Sequence, residues 1–116
     1  MLRSTMIVVA GVAALVLASP AGAASFNCGK AKTPTEKTIC ARPTLNILDQ
    51  RMGAQYKVLI KLLGAGSAQA SSVRAEQIWW LGQRDGCGSD ATCLRGTIGQ
   101  RIKDLDGYMA TAKAAG

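Results

Sequence analysis

The sequence predicts an all-α fold, a small disulfide-stapled bundle of three main helices with a short helix before them. Three observations carry this. Apolar residues recur at three- and four-residue steps over three long stretches, the period of a helix with one buried face. No segment alternates apolar and polar residues between turn signals at strand spacing. Four cysteines stand in two pairs, Cys28 with Cys40 and Cys87 with Cys93, behind a segment that reads as an export signal. An even cysteine count in a short exported chain implies a disulfide framework.

Residues 1–23 read as processing rather than fold. Arg3 supplies a positive start, Met6 to Ala18 is an almost unbroken apolar run, and Ser19-Pro20 breaks it. Ala21-Gly22-Ala23 has the small-x-small pattern that signal peptidase requires. The apolar run falls short of the ~20 residues that span a bilayer. Cys28 follows Phe26-Asn27, where a lipidation site would want small residues. The expectation is a cleaved signal peptide and a single helical domain over residues 24–116. That domain would be periplasmic or secreted, with no transmembrane segment left after cleavage.

In the mature part, Thr33 reads as an N-cap, with Pro34 at the first helical position and Glu36 completing a capping box. This short helix carries Ile39 and Cys40 and ends at Arg42-Pro43. A second helix begins near Thr44, with a stripe of Leu45, Leu48, Met52, Tyr56, Leu59 and Leu63, and stops at Gly64-Ala65-Gly66-Ser67. A third begins around Ser71 or Ser72 and runs to Asp85, with Val73, Gln77, Trp80, Leu81 and Arg84 facing inward. Gly86 and Gly88 open the next turn. Asp90 caps the last helix, whose stripe is Leu94, Ile98, Ile102 (or Arg101), Leu105 and Met109. Residues 110–116 have nothing to bury and are expected to fray.

A domain of this size has a thin core, so cross-links are an expected supplement. Four cysteines allow three pairings. The expectation leans to Cys28–Cys40, which would pin the N-terminal arm to the end of the short helix, and Cys87–Cys93, which would staple the turn between the last two helices. Nothing in the spacing excludes a cross-pairing such as Cys40–Cys87.

The chain has 14 basic and 7 acidic side chains and no histidine, for a net charge of +7. Arg3 is the one charged residue of the leader, so the mature charge is one unit lower, +6. This balance favours acidic partners, an anionic envelope polymer among them. The basic residues are scattered rather than blocked, and no nucleic-acid partner is expected. Without histidine and with widely spaced cysteines, no metal and no cofactor are expected. Cysteine catalysis lacks a base, and a paired-carboxylate mechanism needs a cleft that a thin bundle does not obviously offer. The expectation is a protein that is not an enzyme.

Trp79 and Trp80 point about 100° apart on a helix, so both cannot face one narrow core. Trp80 fits the inward stripe. Trp79 is then either an exposed binding anchor or covered by a long loop over residues 64–72. Arg84, at an inward position, needs a partner, and Asp49 and Asp85 are the candidates.

These residues resemble a known family. Phe26-Asn27-Cys28, Thr33-Pro34-Thr35-Glu36-Lys37-Thr38-Ile39-Cys40, Leu48-Asp49, Met52 and Tyr56 follow its order. Ala75-Glu76-Gln77, Trp80-Leu81, Arg84-Asp85, Cys87, Cys93-Leu94 and Ile102 complete it. The chain is similar to the LprI-type lysozyme inhibitor N-terminal domain family over about Ser25 to Leu105. The resemblance implies an exported helical domain and inhibition of lysozyme or a related peptidoglycan-cleaving enzyme. Its matched residues (Thr33, Pro34, Glu36, Lys37, Asp49, Tyr56, Gln77, Trp80, Leu81, Arg84 and Asp85) read as framework. Candidates for the partner surface are the Cys87–Cys93 turn, with Gly86, Gly88, Ser89 and Asp90, and the exposed Trp79. Animal c-type lysozymes are themselves basic, so an inhibitor at +6 would need a local acidic patch, Asp104 with Asp106 or Asp85 with Asp90. The alternative is a non-catalytic binding or scaffold module with another protein or an anionic polymer as partner.

Overall fold

The computed structural model describes residues 25–116; the expected signal peptide lies outside them. Asn27 accepts the Gly29 amide and nucleates a single 3-10 turn, Cys28–Lys30. Four helices follow: α1 (Pro34–Ala41), α2 (Pro43–Leu63), α3 (Ala68–Asp85) and α4 (Ala91–Ala115). There is no strand among the described residues. The Thr33 capping box forms as expected, with Thr33 Oγ1 accepting the Glu36 amide and Glu36 Oε1 accepting the Thr33 amide. Arg42 alone joins α1 to α2. It is extended, as a residue before proline tends to be, and Pro43 supplies the first position of α2.

Two elements differ from the sequence reading. The α3 helix begins at Ala68, a turn earlier than Ser71 or Ser72. Gly64 takes a positive φ of 87°, which turns the chain at once, and the Ser67 side chain then caps α3 by accepting the Ala70 amide. Arg74 ties this connection down by donating to the Ala65 carbonyl. The loop is therefore residues 64–67, too short to cover Trp79. At the other end, α4 runs on to Ala115 where fraying was expected. Alanine has the highest helix propensity, and Ala112 finds apolar surface, packing half-buried against the core.

The core is one cluster: Ile39 from α1, Leu45, Met52 and Leu59 from α2, Trp80 from α3, and Leu94, Ile98, Ile102 and Leu105 from α4. The most extensive packing is between α2 and α4. Gln55 meets Asp106, and Leu59, Leu62 and Leu63 border a groove with Tyr108 and Thr111, so the two helices run in the same direction. The α3 helix returns the chain between them. The α1 helix closes the end of the bundle nearest the α3–α4 turn.

The disulfides join Cys28 to Cys40 and Cys87 to Cys93. The first pins the N-terminal arm to the end of α1, and the second staples the α3–α4 turn. Closing such short loops stabilises by roughly 2–3 kcal/mol each in the chain-entropy account.

Candidate functional site

Around Arg84 the framework residues meet. Asp49 is fully buried on α2, and Arg84 Nη1 donates to its Oδ1 at 3.1 Å. The other oxygen of Asp49 accepts both the backbone N–H of Ser25, at 2.8 Å, and its hydroxyl, at 2.6 Å. Arg84 also donates from Nε and Nη2 to Asp85, and its guanidinium lies 5.4 Å from the centre of the Phe26 ring. Gly53 makes room for this arrangement: a Cβ there would come within 2.8 Å of Ser25 Cβ. Asp49 thus holds α3 and the N-terminal arm against α2. Both expected partners of Arg84 are in place. Asp85 gives one oxygen to Arg84 and stays exposed, as Asp90 does.

A second polar network links α3 to α4. Arg101 is buried beside Ile102, so both of the alternatives for that inward position are filled. Arg101 Nε donates to Gln77 Oε1 at 3.0 Å and Nη1 donates to Glu76, which also accepts the Tyr108 hydroxyl at 2.8 Å. Gln77 points its Nε2 at Met52 Sδ. Burial pushes the Glu76 carboxyl up, but the hydrogen bonds from Arg101 and Tyr108 and the Arg101 charge together outweigh it and hold the group below its ordinary value. The hydrogen bond to Glu76, with burial and the Glu76 charge, raises the Tyr108 phenol. Glu36 follows Glu76 in kind: burial raises it, and the Thr33 and Lys32 amides and the Thr33 hydroxyl bring it below its ordinary value.

The Cys87–Cys93 turn is the most built feature of the surface. Its backbone is laddered, with the Cys87 N–H donating to the Arg84 carbonyl, Gly88 N–H to Asp85 and Asp90 N–H to Cys87. From α1, buried Thr35 shares its hydroxyl proton between the carbonyls of Gly88, at 2.8 Å, and Asp85, at 3.2 Å. Gly88 has a positive φ of 57° and nothing within 4 Å of where a Cβ would stand. Ser89 and Asp90 are exposed. Asp90 caps α4 through one oxygen, which accepts the Thr92 and Cys93 amides, both at 3.0 Å. The brace from Thr35 was not foreseen. A small polar residue inside an otherwise well-capped helix carries no signal of a bond to a turn some 50 positions away.

The bundle surface also has grooves, where the sequence suggested no obvious cleft. One, of about 690 Å³, lies between α3 and α4 and adjoins the stapled turn at Asp90. Trp79, which is 65 % exposed, and Trp80, Gln100 and Asp104 line it. Another, of about 540 Å³, is lined by Phe26, Glu36, Tyr56, Leu81 and Arg84, with exposed Ile78 at its border. Of the predicted framework residues, Lys37 stands exposed and Tyr56 and Leu81 are half-buried against the core. Asp106 is exposed and Asp104 half-exposed, holding the side-chain amides of Gln55 and Gln100.

Among the described residues no three of His, Cys, Asp and Glu converge to hold a metal ion. No described helix is long and apolar enough to cross a membrane. In comparison with known proteins, the family described as lysozyme inhibitor LprI matches residues 28–111. No curated protein and no solved structure matches significantly.

Proposed function

The chain belongs to the lysozyme inhibitor LprI family, and from that premise we propose that it is an exported, non-catalytic protein that binds and inhibits a lysozyme or a related peptidoglycan-cleaving enzyme. The observation that carries the reading is the turn at Gly86 to Asp90. It is closed by a disulfide, laddered by its own backbone and braced from behind by Thr35. Small side chains let its backbone approach another surface closely. A projection ordered in advance loses little conformational freedom on entering a cleft, so more of its contact energy remains as affinity.

A non-catalytic role is supported by how the carboxylates are used. Asp49, Asp85 and Glu76 face arginines, Glu36 closes the α1 capping box, Asp90 caps α4, and Asp104 and Asp106 hold glutamine amides. Each has a structural partner within the fold.

The test is titration of the purified processed protein against c-type, g-type and i-type lysozymes at low and physiological salt. Inhibition of at least one is expected at micromolar protein, and failure against all three would sink the proposal. Ser89→Arg, which adds bulk and charge at an exposed position of the turn, should weaken inhibition at least ~10-fold with no change in melting temperature.

A further inference from the structure

The groove between α3 and α4 carries chemistry that the framework does not use. Trp79 offers an open indole face on α3, with Gln83 one turn further along the same helix. Across from them on α4 stand Thr92, Gln100 and Asp104, with Asp90 at the turn. Each carboxylate commits only one oxygen to the protein: Asp90 Oδ1 to the cap and Asp104 Oδ1 to Gln100. The buried wall contributes Arg101, 2 % exposed, with its guanidinium 5.7 Å from the centre of the Trp80 ring. Its Nε and Nη1 are used, but Nη2 has no acceptor. It is the one buried side-chain nitrogen so left among the described residues. A buried donor without a partner is costly, and an acceptor oxygen brought to it by a small shift of the side chain displaces no existing bond.

Asp90 and Asp104 repel an anion, and the charge of Arg101 is already met by Glu76, so nothing in the lining calls for an anionic ligand. A neutral ligand suits all of them if it has a flat C–H face for the indole, hydroxyl donors for the free carboxylate oxygens and an acceptor oxygen for Arg101. A saccharide has this combination, and an acetamido carbonyl is the strongest acceptor that a neutral sugar offers. The groove is within the ~300–1,000 Å³ range of small-molecule sites. We propose that this groove is a saccharide-binding site, with Trp79 as the stacking platform, Asp90, Asp104 and Gln100 as hydroxyl partners, and Arg101 as donor to an acetamido or ring oxygen. The proposal goes beyond inhibition and does not depend on it.

Tri-N-acetylchitotriose, a neutral probe, titrated into the processed protein tests this. Saturable quenching of tryptophan emission is expected, undiminished at about 0.5 M salt, where charge-driven binding is screened. In amide NMR spectra, the shifts should centre on Gln83, Thr92 and Gln100. Trp79→Ala should weaken binding at least ~10-fold and Asp104→Ala by several fold. Because Trp79 is exposed, an unchanged far-ultraviolet spectrum and melting temperature will show that its variant is folded. Absence of shifts at ~10 mM saccharide, or equal binding by Trp79→Ala, overturns the proposal. So does salt-sensitive binding of an oligoarginine peptide in place of the sugar, which would make the groove a receptor for a basic protein side chain.

Discussion

Asp49 is the residue on which the N-terminal arm, α2 and α3 meet, and its burial sets the energetics of the clamp. A fully buried carboxylate is tolerable because two hydrogen bonds from Ser25 and one from the Arg84 guanidinium compensate it. Removing Arg84 would leave that charge uncompensated, which costs about 3–5 kcal/mol. For a domain of this size, Arg84→Ala should therefore lower the melting temperature by more than ~10 °C, measured by thermal denaturation; an unchanged midpoint would mean that Asp49 finds other compensation. The pair was legible in the sequence, because a guanidinium at an inward helix position needs an acid. Ser25 and Gly53 were not legible. Their roles depend on how closely the arm approaches α2, and no local pattern encodes that distance.

At the scale of elements, two contacts join helices through polar groups. Thr35 ties α1 to the stapled turn, and Thr35→Val removes the hydroxyl while nearly preserving shape. The expected cost is about 1–2 kcal/mol in chemical denaturation, with faster hydrogen exchange at Gly88, Ser89 and Asp90. Unchanged exchange would show that the disulfide and the backbone ladder alone hold the turn. The Glu76 network ties α3 to α4 and gives stability a pH dependence. Glu76 ionises more easily in the folded protein, so its contribution is present above the ordinary value of 4.5 and is lost as pH falls through the lowered one. Glu36 acts in the same direction. Tyr108 acts at the alkaline end: its raised phenol contributes below pH 10.0, and that part is lost as pH rises through the raised value. Glu76→Gln should therefore be less stable than the parent at pH 7, with the gap narrowing on acidification below about pH 4.5. A gap that is constant from pH 7 to 3 in melting experiments would refute the assignment.

For the whole molecule, charge distribution matters more than the count. Among the described residues, the cations in ion pairs are Arg84 and Arg101, both buried. The remaining lysines and arginines leave a basic field over the bundle. A basic lysozyme approaching it meets long-range repulsion that is screened as salt shortens the Debye length from ~30 Å at 10 mM to ~8 Å at 150 mM. The association rate with a basic c-type enzyme should therefore rise with salt over that range. A falling rate in stopped-flow or surface-binding kinetics would place an acidic patch at the contact.

By itself the sequence determined the all-α class, the helix stripes and the capping box at Thr33. Each depends on periodicity or on groups a few residues apart, which local spacing expresses. Membership of the LprI family was legible for the same reason, since its motif joins cysteines, caps and inward-facing residues in a set order. Only the tertiary structure decided between the cysteine pairings, shortened the connection before α3, extended α4 to Ala115 and left Trp79 in the open. Only the fold placed Thr35 behind the turn and Arg101 in the groove beside Trp79. Those features depend on distances between residues dozens of positions apart, and packing, not spacing, sets them.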